Sequence, residues 1–225
     1  MKTHSKIRRP RSEGKREHLI EAGKRVIFRD GIWNVTTRKI AQDASINLAT
    51  IHYHFANKDE LLVAVFDDML DAIRASAQRD FPKPSTLAAR IEESVLRSWE
   101  YSQGNMAGQF MQMELTVYAL RNGLNSLAER QLQEFLAIYR KVFTEATDVK
   151  GRTDLDIEEL SRFIVAGLDG ILMQHFVEPD ESRSSAACHK LAYFAQRFPL
   201  TRGRVPLTAL TLKASKPRKR AADKT

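Results

Sequence analysis

Apolar residues recur along the chain at spacings of three and four, the period of an α-helix with one buried face. The first such run covers residues 12–29 and ends before Gly31, which supplies a C-terminal stop. Two short helices are predicted over 37–43 and 47–55, separated by a tight turn at 44–45. No strand-like alternation follows them, so the pattern predicts an all-α protein.

The rest of the chain is predicted to form six further helices. Asn57 and Glu60 have capping-box spacing and start a helix that reaches about Arg79, before the break at Phe81–Pro84. Helices of bundle length are then expected at about 86–103, 106–121, 126–147, 154–178 and 184–198. In the 106–121 helix, the apolar stripe is expected to consist of Phe110, Met113, Val117 and Leu120.

Composition is that of an ordinary soluble protein, with 43% hydrophobic and 28% charged residues. The single cysteine, Cys188, excludes an intrachain disulfide. The basic start lacks the apolar run of a signal peptide, and no stretch approaches the roughly 18 uninterrupted apolar residues of a spanning helix. We therefore expect a cytoplasmic protein.

Positive charge is concentrated at the two ends of the chain. Residues 1–60 hold 13 Lys and Arg against 7 Asp and Glu, and residues 213–225 hold 6 against 1. The intervening residues 61–212 hold 17 against 20. A mildly acidic body with basic ends is typical of a protein that meets a polyanion at one end, although solvated basic arms have the same composition.

The segment 37–56 has the features of a helix-turn-helix. Such a motif needs a small residue where two helices cross, a tight turn and apolar residues that lock the second helix onto the first. Ala41 is the small residue, Ile40 and Ile46 flank it in the core, and Ile51 and Phe55 form the buried face of the second helix. The other face carries side chains suited to phosphates and base edges: Asn47, Ala49, Thr50, Tyr53 and His54.

These residues resemble the tetracycline-repressor-type (TetR) family of transcriptional regulators. The matching text is VTTRKIAQDASINLATIHYHFANKDELL at residues 35–62, preceded by Gly31. The resemblance covers residues 15–65 most strongly and rests beyond them on helix number and length, with less specific similarity at 99–122 and 168–180. Two positions depart from the family: Ser45 stands where the turn usually has Gly, and His52 precedes Tyr53 where many relatives have Tyr.

The resemblance implies a role for each matching residue. Thr36, Thr37 and Arg38 would meet a DNA phosphate at the start of the second helix, and Lys58 would be a further phosphate anchor. The recognition helix would enter the major groove with the following side chains: Asn47, Leu48, Ala49, Thr50, His52, Tyr53 and His54. The basic arm would reach the minor groove or flanking phosphates.

The resemblance also implies a domain that binds a small-molecule effector and dimerises. The expected ligand-binding residues are Trp99, Phe110, Met111, Met113 and Tyr118, although such stripes are more often plain core. The expected dimer contacts are Phe163, Gly167, Gly170, Ile171 and Phe176, and packing within one chain is the alternative. The expected division is a basic arm (1–11), a helix-turn-helix domain (12–61), a ligand-binding and dimerisation domain (62–200) and a basic tail (201–225).

Metal and catalytic chemistry find little support in the sequence. His52 and His54 point to different sides of a helix, and Cys188–His189 stands without a second cysteine. No glycine-rich phosphate loop or nucleophile elbow occurs. No cofactor or metal is expected, and the predicted function is a homodimeric repressor released from a palindromic operator by a small effector. The alternatives are an activator or a partner-controlled regulator of the same fold, and a small all-helical enzyme.

Overall fold

A computed structural model describes residues 11–77, 85–150 and 156–197. Their secondary structure is entirely helical, as the sequence predicted, with one short 3₁₀ turn at Ile32–Asn34 that the periodicity did not reveal. The α-helices are α1 (Arg11–Asp30), α2 (Thr37–Asp43), α3 (Leu48–His54), α4 (Lys58–Ala77), α5 (Leu87–Gln103), α6 (Met106–Arg121), α7 (Asn125–Thr144), α8 (Ile157–Val177) and α9 (Glu181–Ala195). The predicted arm before Arg11, the break at 81–84 and the basic tail lie outside the described residues.

Side-chain caps fix where several of these helices begin. The Thr36 hydroxyl accepts a hydrogen bond from the Lys39 amide at 3.2 Å, as its position before α2 predicted. At the start of α4, Asn57 Oδ1 accepts from the Glu60 amide at 2.9 Å. Asp180 caps α9, which therefore begins at Glu181 rather than at residue 184.

Two apolar cores organise the bundle. The first holds the buried faces of α1 to α4 together with residues of α6, including Leu115 and Tyr118. Helix α1 approaches α4 at Gly23, where an added Cβ would lie 2.9 Å from Val65 Cγ2. Because α4 and α6 contribute to this core, the core continues past residue 61, where the sequence predicted a domain boundary.

The buried face of α6 differs from the predicted one. Phe110, Val117 and Leu120 are about half exposed, so the expected stripe is wrong for these three residues. The buried residues are instead Met111, Gln112, Leu115, Tyr118 and Ala119. Both sets of residues have helical spacing and apolar content, and only the neighbouring helices α1, α4 and α7 decide which face is covered.

The second core lies between α5, α7, α8 and α9. At Gly167, an added Cβ would lie 2.6 Å from Leu191 Cδ1, so the missing side chain allows α9 of the same chain to pack closely against α8. Among the described helices, α8 alone is long and apolar enough to pass a membrane-span criterion based on length and composition. Core helices pass the same criterion, and α8 contributes Leu160, Ile164 and Leu168 to this core.

Candidate nucleic-acid interface and ligand cavity

The two short helices α2 and α3 form the predicted helix-turn-helix. Ile40, Ala41, Ile51 and Phe55 are buried, each at 5% exposure or less, and hold α3 against α1, α2 and α4. Asn47 caps α3 by accepting hydrogen bonds from the amide of Thr50 at 2.8 Å and from its hydroxyl at 2.7 Å. These contacts fix the start of the helix that the sequence assigns to base reading.

The outer face of α3 carries the predicted base-contacting side chains. Tyr53 is 79% exposed and packs edge-to-face against the His54 ring, with centroids 5.0 Å apart. His52 and Ala49 are also exposed, whereas Leu48 packs partly against the first core. Leu48 therefore contributes to holding α3 in place, in addition to any contact with DNA.

The predicted phosphate-contacting residues lie at the starts of α2 and α4. Thr36 and Arg38 are exposed, while Thr37 is partly buried. Lys58 begins α4, and its Nζ lies 4.8 Å from the centroid of the Tyr118 ring. A cation on an aromatic face is attracted by the ring quadrupole, so Tyr118 of α6 positions this ammonium group.

An ion-pair network joins α1 to α2 beside this surface. Asp43 accepts from Arg25 and Arg29 at 2.8 and 2.9 Å, and Asp30 contacts Lys39 at 2.8 Å. Hydrogen bonds from Lys39 and Arg29 lower the pKa of Asp30. Burial alone would raise the pKa of Asp43, but the two arginines outweigh it and the pKa is lowered.

The turn between α2 and α3 contains Ser45, which stands where the family that the sequence resembles usually has glycine. Ser45 has φ of 53°, the only positive value at a non-glycine residue in the described parts of the chain. An L-residue in the left-handed region costs on the order of 1 kcal/mol relative to glycine. The turn is closed by the Ser45 and Ile46 amides, which donate to Gln42 and Ala41 carbonyls.

A cavity lies inside the bundle, with walls from α4, α5, α6, α7 and α8. Its volume is about 140 Å³, and it opens to solvent on one side. Most of its wall is apolar or aromatic, with Trp99, Phe135, Tyr139, Val142, Leu168 and Leu172 among the lining residues. Ile73 of α4 also lines it, so the cavity contacts the helix whose other end adjoins α3.

The five predicted ligand-binding residues are distributed over four places. Trp99 lines the cavity. Phe110 and Met111 instead line a second groove between the end of α1 and α6, and Met113 packs against the second core. Tyr118 is placed at the junction of α6 and α4, where its hydroxyl donates to Asp59 at 2.8 Å.

The sequence interpretation missed Asp169, the only acidic side chain among the residues that line the cavity. Desolvation by the surrounding groups raises the pKa of its carboxyl group, although the residue is exposed at the cavity mouth. A single acid inside the apolar sequence of α8 was the signal that could have identified it. Tyr139 contacts the same space, and its hydroxyl is 2.7 Å from Ser98 Oγ.

The predicted dimer residues also separate into two groups. Gly167 is covered by Leu191, Ile171 packs on the second core, and Phe176 packs edge-to-face against Phe110 at 5.2 Å, all within one chain. Phe163 and Gly170 are exposed on α8. Apolar side chains that the sequence interpretation did not select are exposed on α8 and α9: Met173, Val177, Tyr193 and Phe194.

Within the described residues, no group of three or more His, Cys, Asp or Glu side chains is arranged to hold a metal ion. Cys188 is buried, and His175 Nδ1 lies 3.0 Å from Ser184 Oγ. His175 also packs edge-to-face on Trp99, with ring centroids 5.2 Å apart. These contacts place His175 in the packing between α5, α8 and α9.

Comparison with known proteins agrees with this geometry. A family model described as "Bacterial regulatory proteins, tetR family" matches residues 19–65, which include α2, α3 and the start of α4. Along 178 residues, the chain is 26% identical to the nicotine-responsive transcriptional repressor HdnoR of Paenarthrobacter nicotinovorans, covering 79% of this chain and 91% of that protein. The segment that carries the helix-turn-helix, residues 19–65, belongs to the TetR family. The protein is a DNA-binding transcriptional regulator of helix-turn-helix type.

Solved structures share this helical architecture over most of the chain. SmeT, the repressor of a Stenotrophomonas maltophilia multidrug efflux pump, aligns with a TM-score of 0.63 at 17% identity, covering 82% of this chain and 91% of that chain. The multidrug-binding protein EbrR in complex with ethidium aligns with a TM-score of 0.61 at 25% identity, covering 79% and 98%. The TetR relatives are regulators, and the alternative of an all-helical enzyme has no support.

Proposed function

We propose that this TetR-family protein is a homodimeric repressor in the bacterial cytoplasm, released from a partly palindromic operator when a small molecule occupies the cavity. The observation that carries this proposal is the position of α4. Its first residue, Lys58, lies beside the helix-turn-helix, and Ile73, four turns later, lines the cavity. A ligand that shifts α4 at Ile73 would also shift the unit that carries α3.

Contacts at the start of α4 give this movement a second route. Tyr118 of α6 bonds Asp59, and its ring lies under Lys58 and 5.2 Å from that of Trp33. Gln109 of the same helix α6 lines the cavity. A displacement of α6 by a ligand would therefore reach both a predicted phosphate contact and the turn that follows α1.

Exposed apolar side chains on α8 and α9 support a dimer. Met173 is 53% exposed and Val177 80%, and Gly170 has no atom within 4 Å of an added Cβ. Tyr193 and Phe194 extend the apolar surface onto α9. Contiguous apolar surface of this kind marks association sites, and a two-fold dimer would place two α3 helices in successive major grooves about 34–36 Å apart.

Relatives support both repression and a small-molecule effector. HdnoR is named as a nicotine-responsive repressor and SmeT as the repressor of an efflux pump. EbrR is described as a multidrug-binding protein in complex with ethidium or with imidazole. Two alternatives are an activator and a regulator that a protein partner controls. Tests of repression and release distinguish them from this proposal.

The dimer is tested by light scattering on two matched variants. Met173→Glu/Val177→Glu places charge on the α8 surface and should yield monomers with reduced operator affinity. Val117→Glu changes a residue of α6 that is 48% exposed and should leave both mass and affinity unchanged. Monomers for the wild-type protein, or a dimer in the double variant, would contradict this interface.

Repression and release are tested with a duplex that the protein selects from random DNA. Placed between a promoter and a reporter gene, this duplex should lower expression when the protein is present, and raised expression would indicate an activator. The same duplex, labelled with a fluorophore, then reports release by anisotropy during screening of small molecules. Compounds that bind the protein without lowering operator affinity would contradict the effector role of the cavity.

A further inference from the structure

One carboxyl group, that of Asp169, lies at the mouth of the cavity between α4 and α8. Asp169 forms no hydrogen bond or ion pair with any residue that the structure describes, although it lines a space whose walls are mostly apolar. Desolvation by the surrounding groups raises the pKa of this carboxyl group, although Asp169 itself is exposed. Because Asp169 is exposed at the cavity mouth, its carboxylate can meet the positive charge of a ligand without first breaking a contact within the described chain.

The one cationic side chain in the lining is already engaged. Arg97 Nε donates to Glu93 Oε1 at 2.6 Å, a charge-assisted contact one helical turn away on α5. An anionic ligand would therefore meet the Asp169 carboxylate and an arginine whose charge is already compensated. The electrostatics of the cavity oppose anions.

Aromatic groups surround the same space. Trp99 is 4% exposed, and its Nε1 is buried without a hydrogen-bond partner in the described structure. Tyr139 lines the neighbouring wall, with its hydroxyl bound to Ser98. Aromatic faces attract organic cations, and their surface also accommodates flat or apolar ligand bodies.

We infer that the cavity takes a lipophilic organic cation, with Asp169 as its counter-charge and Trp99 and Tyr139 as aromatic walls. This inference names the ligand class of the effector site and rests on the proposed function for its regulatory meaning. The cavity has a volume of about 140 Å³ and opens to solvent, so a larger ligand would extend beyond its mouth. The residue that discriminates ligands is Asp169, which favours positive charge over neutral or negative analogues of equal shape.

Two nearly isosteric ions of opposite charge test the inference. Tetraphenylphosphonium and tetraphenylborate are titrated into the full-length protein by calorimetry, and the Trp33→Phe variant leaves Trp99 as the only tryptophan to report binding by fluorescence. The wild-type protein should bind the phosphonium at least about tenfold more tightly, as expected for one opposite charge in a partly desolvated site. Asp169→Asn should remove this preference.

Two further variants provide the controls. Asp169→Glu keeps the charge and should keep the preference, which separates the role of charge from a defect in folding. Glu100→Gln removes an exposed carboxyl group from α5 that does not line the cavity and should change neither affinity. Equal affinity for both ions, an undiminished preference in Asp169→Asn, or failure of the phosphonium to bind would overturn the inference.

The same titrations distinguish this inference from the proposed function. Phosphonium binding that depends on Asp169 but leaves operator affinity unchanged would support the ligand class and contradict release by the effector. Failure of the phosphonium to bind a protein that another compound releases from its operator would overturn the ligand class and leave the repressor proposal intact.

Discussion

The Tyr118 hydroxyl donates a 2.8 Å hydrogen bond to Asp59 and thereby joins α6 to the first turn of α4. The Tyr118 ring also lies under Lys58, so one side chain holds both an acid and a predicted phosphate contact. Desolvation by burial and then Asp59 raise the pKa of Tyr118 to about 12. The phenol is therefore a neutral donor at physiological pH.

Loss of this hydroxyl should loosen the junction between α6 and α4. We expect Tyr118→Phe to lower the free energy of unfolding by about 1 kcal/mol, the usual net value of one hydrogen bond. Urea titrations at fixed protein concentration measure the change, and a double-mutant cycle with Asp59→Asn isolates the pair. Additive effects in the cycle would show that the two groups do not interact in solution.

The strained turn of the helix-turn-helix should be relieved by glycine. Ser45→Gly removes the cost of φ at 53° and should stabilise the protein by about 0.5–1 kcal/mol. Ser126→Gly is the control, because Ser126 lies in the first turn of helix α7, where glycine gains no such relief. Stability that falls in Ser45→Gly by as much as in the control would be inconsistent with strain at this turn.

Two glycines of α1 should respond oppositely to alanine. At Gly14 an added Cβ has open space, so Gly14→Ala should stabilise the helix by about 0.5–1 kcal/mol through the propensity difference. At Gly23 the Cβ would meet Val65 and Leu61 at 2.9 and 3.0 Å, so Gly23→Ala should destabilise the protein by about 1–3 kcal/mol. Thermal melts compare the two, and equal shifts would contradict the close approach of α1 and α4.

The DNA-contacting residues should divide into two classes. Arg38→Ala is expected to weaken binding to cognate and random duplexes alike and to reduce the slope of log affinity against log salt by about one. Thr50→Ala and Tyr53→Ala should instead change which sequence is preferred, because their side chains lie at the recognition helix. Fluorescence anisotropy over a salt series measures both. Equal losses on all sequences for all three variants would contradict the division.

Local signals in the sequence predicted the helix-turn-helix closely. The Thr36 cap and the apolar positions from Ile40 to Phe55 gave α2 with its observed bounds and α3 to within one residue at each end. Such signals lie within a few residues of the structure they determine, so neighbouring helices are not needed to interpret them. The capping side chains of Asp156 and Asp180 were missed, and the starts of α8 and α9 were misplaced by three residues each.

The packing of the helices against one another was harder to predict, because an apolar stripe on a helix does not show which other helix it contacts. Tyr118 and Phe110 are both aromatic residues on α6. Tyr118 is nevertheless buried at the junction with α4, whereas Phe110 is half exposed. Asp169 was missed because a lone acid on a helix is usually a plain surface residue, and the sequence does not show that this exposed residue borders a cavity. The cavity around it depends on which side chains α5 and α7 place opposite α8, and that information is not local.

A regulator of the proposed kind reads a defined DNA sequence as a two-fold dimer, and selection of bound DNA from a random pool shows whether this protein does so. At about 150 mM salt, where contacts with phosphates alone are weakened, the protein should recover an inverted repeat with half-site centres about one or more helical turns apart. Recovery of no motif, with binding that disappears as salt rises, would contradict the proposal and leave only electrostatic attraction to DNA.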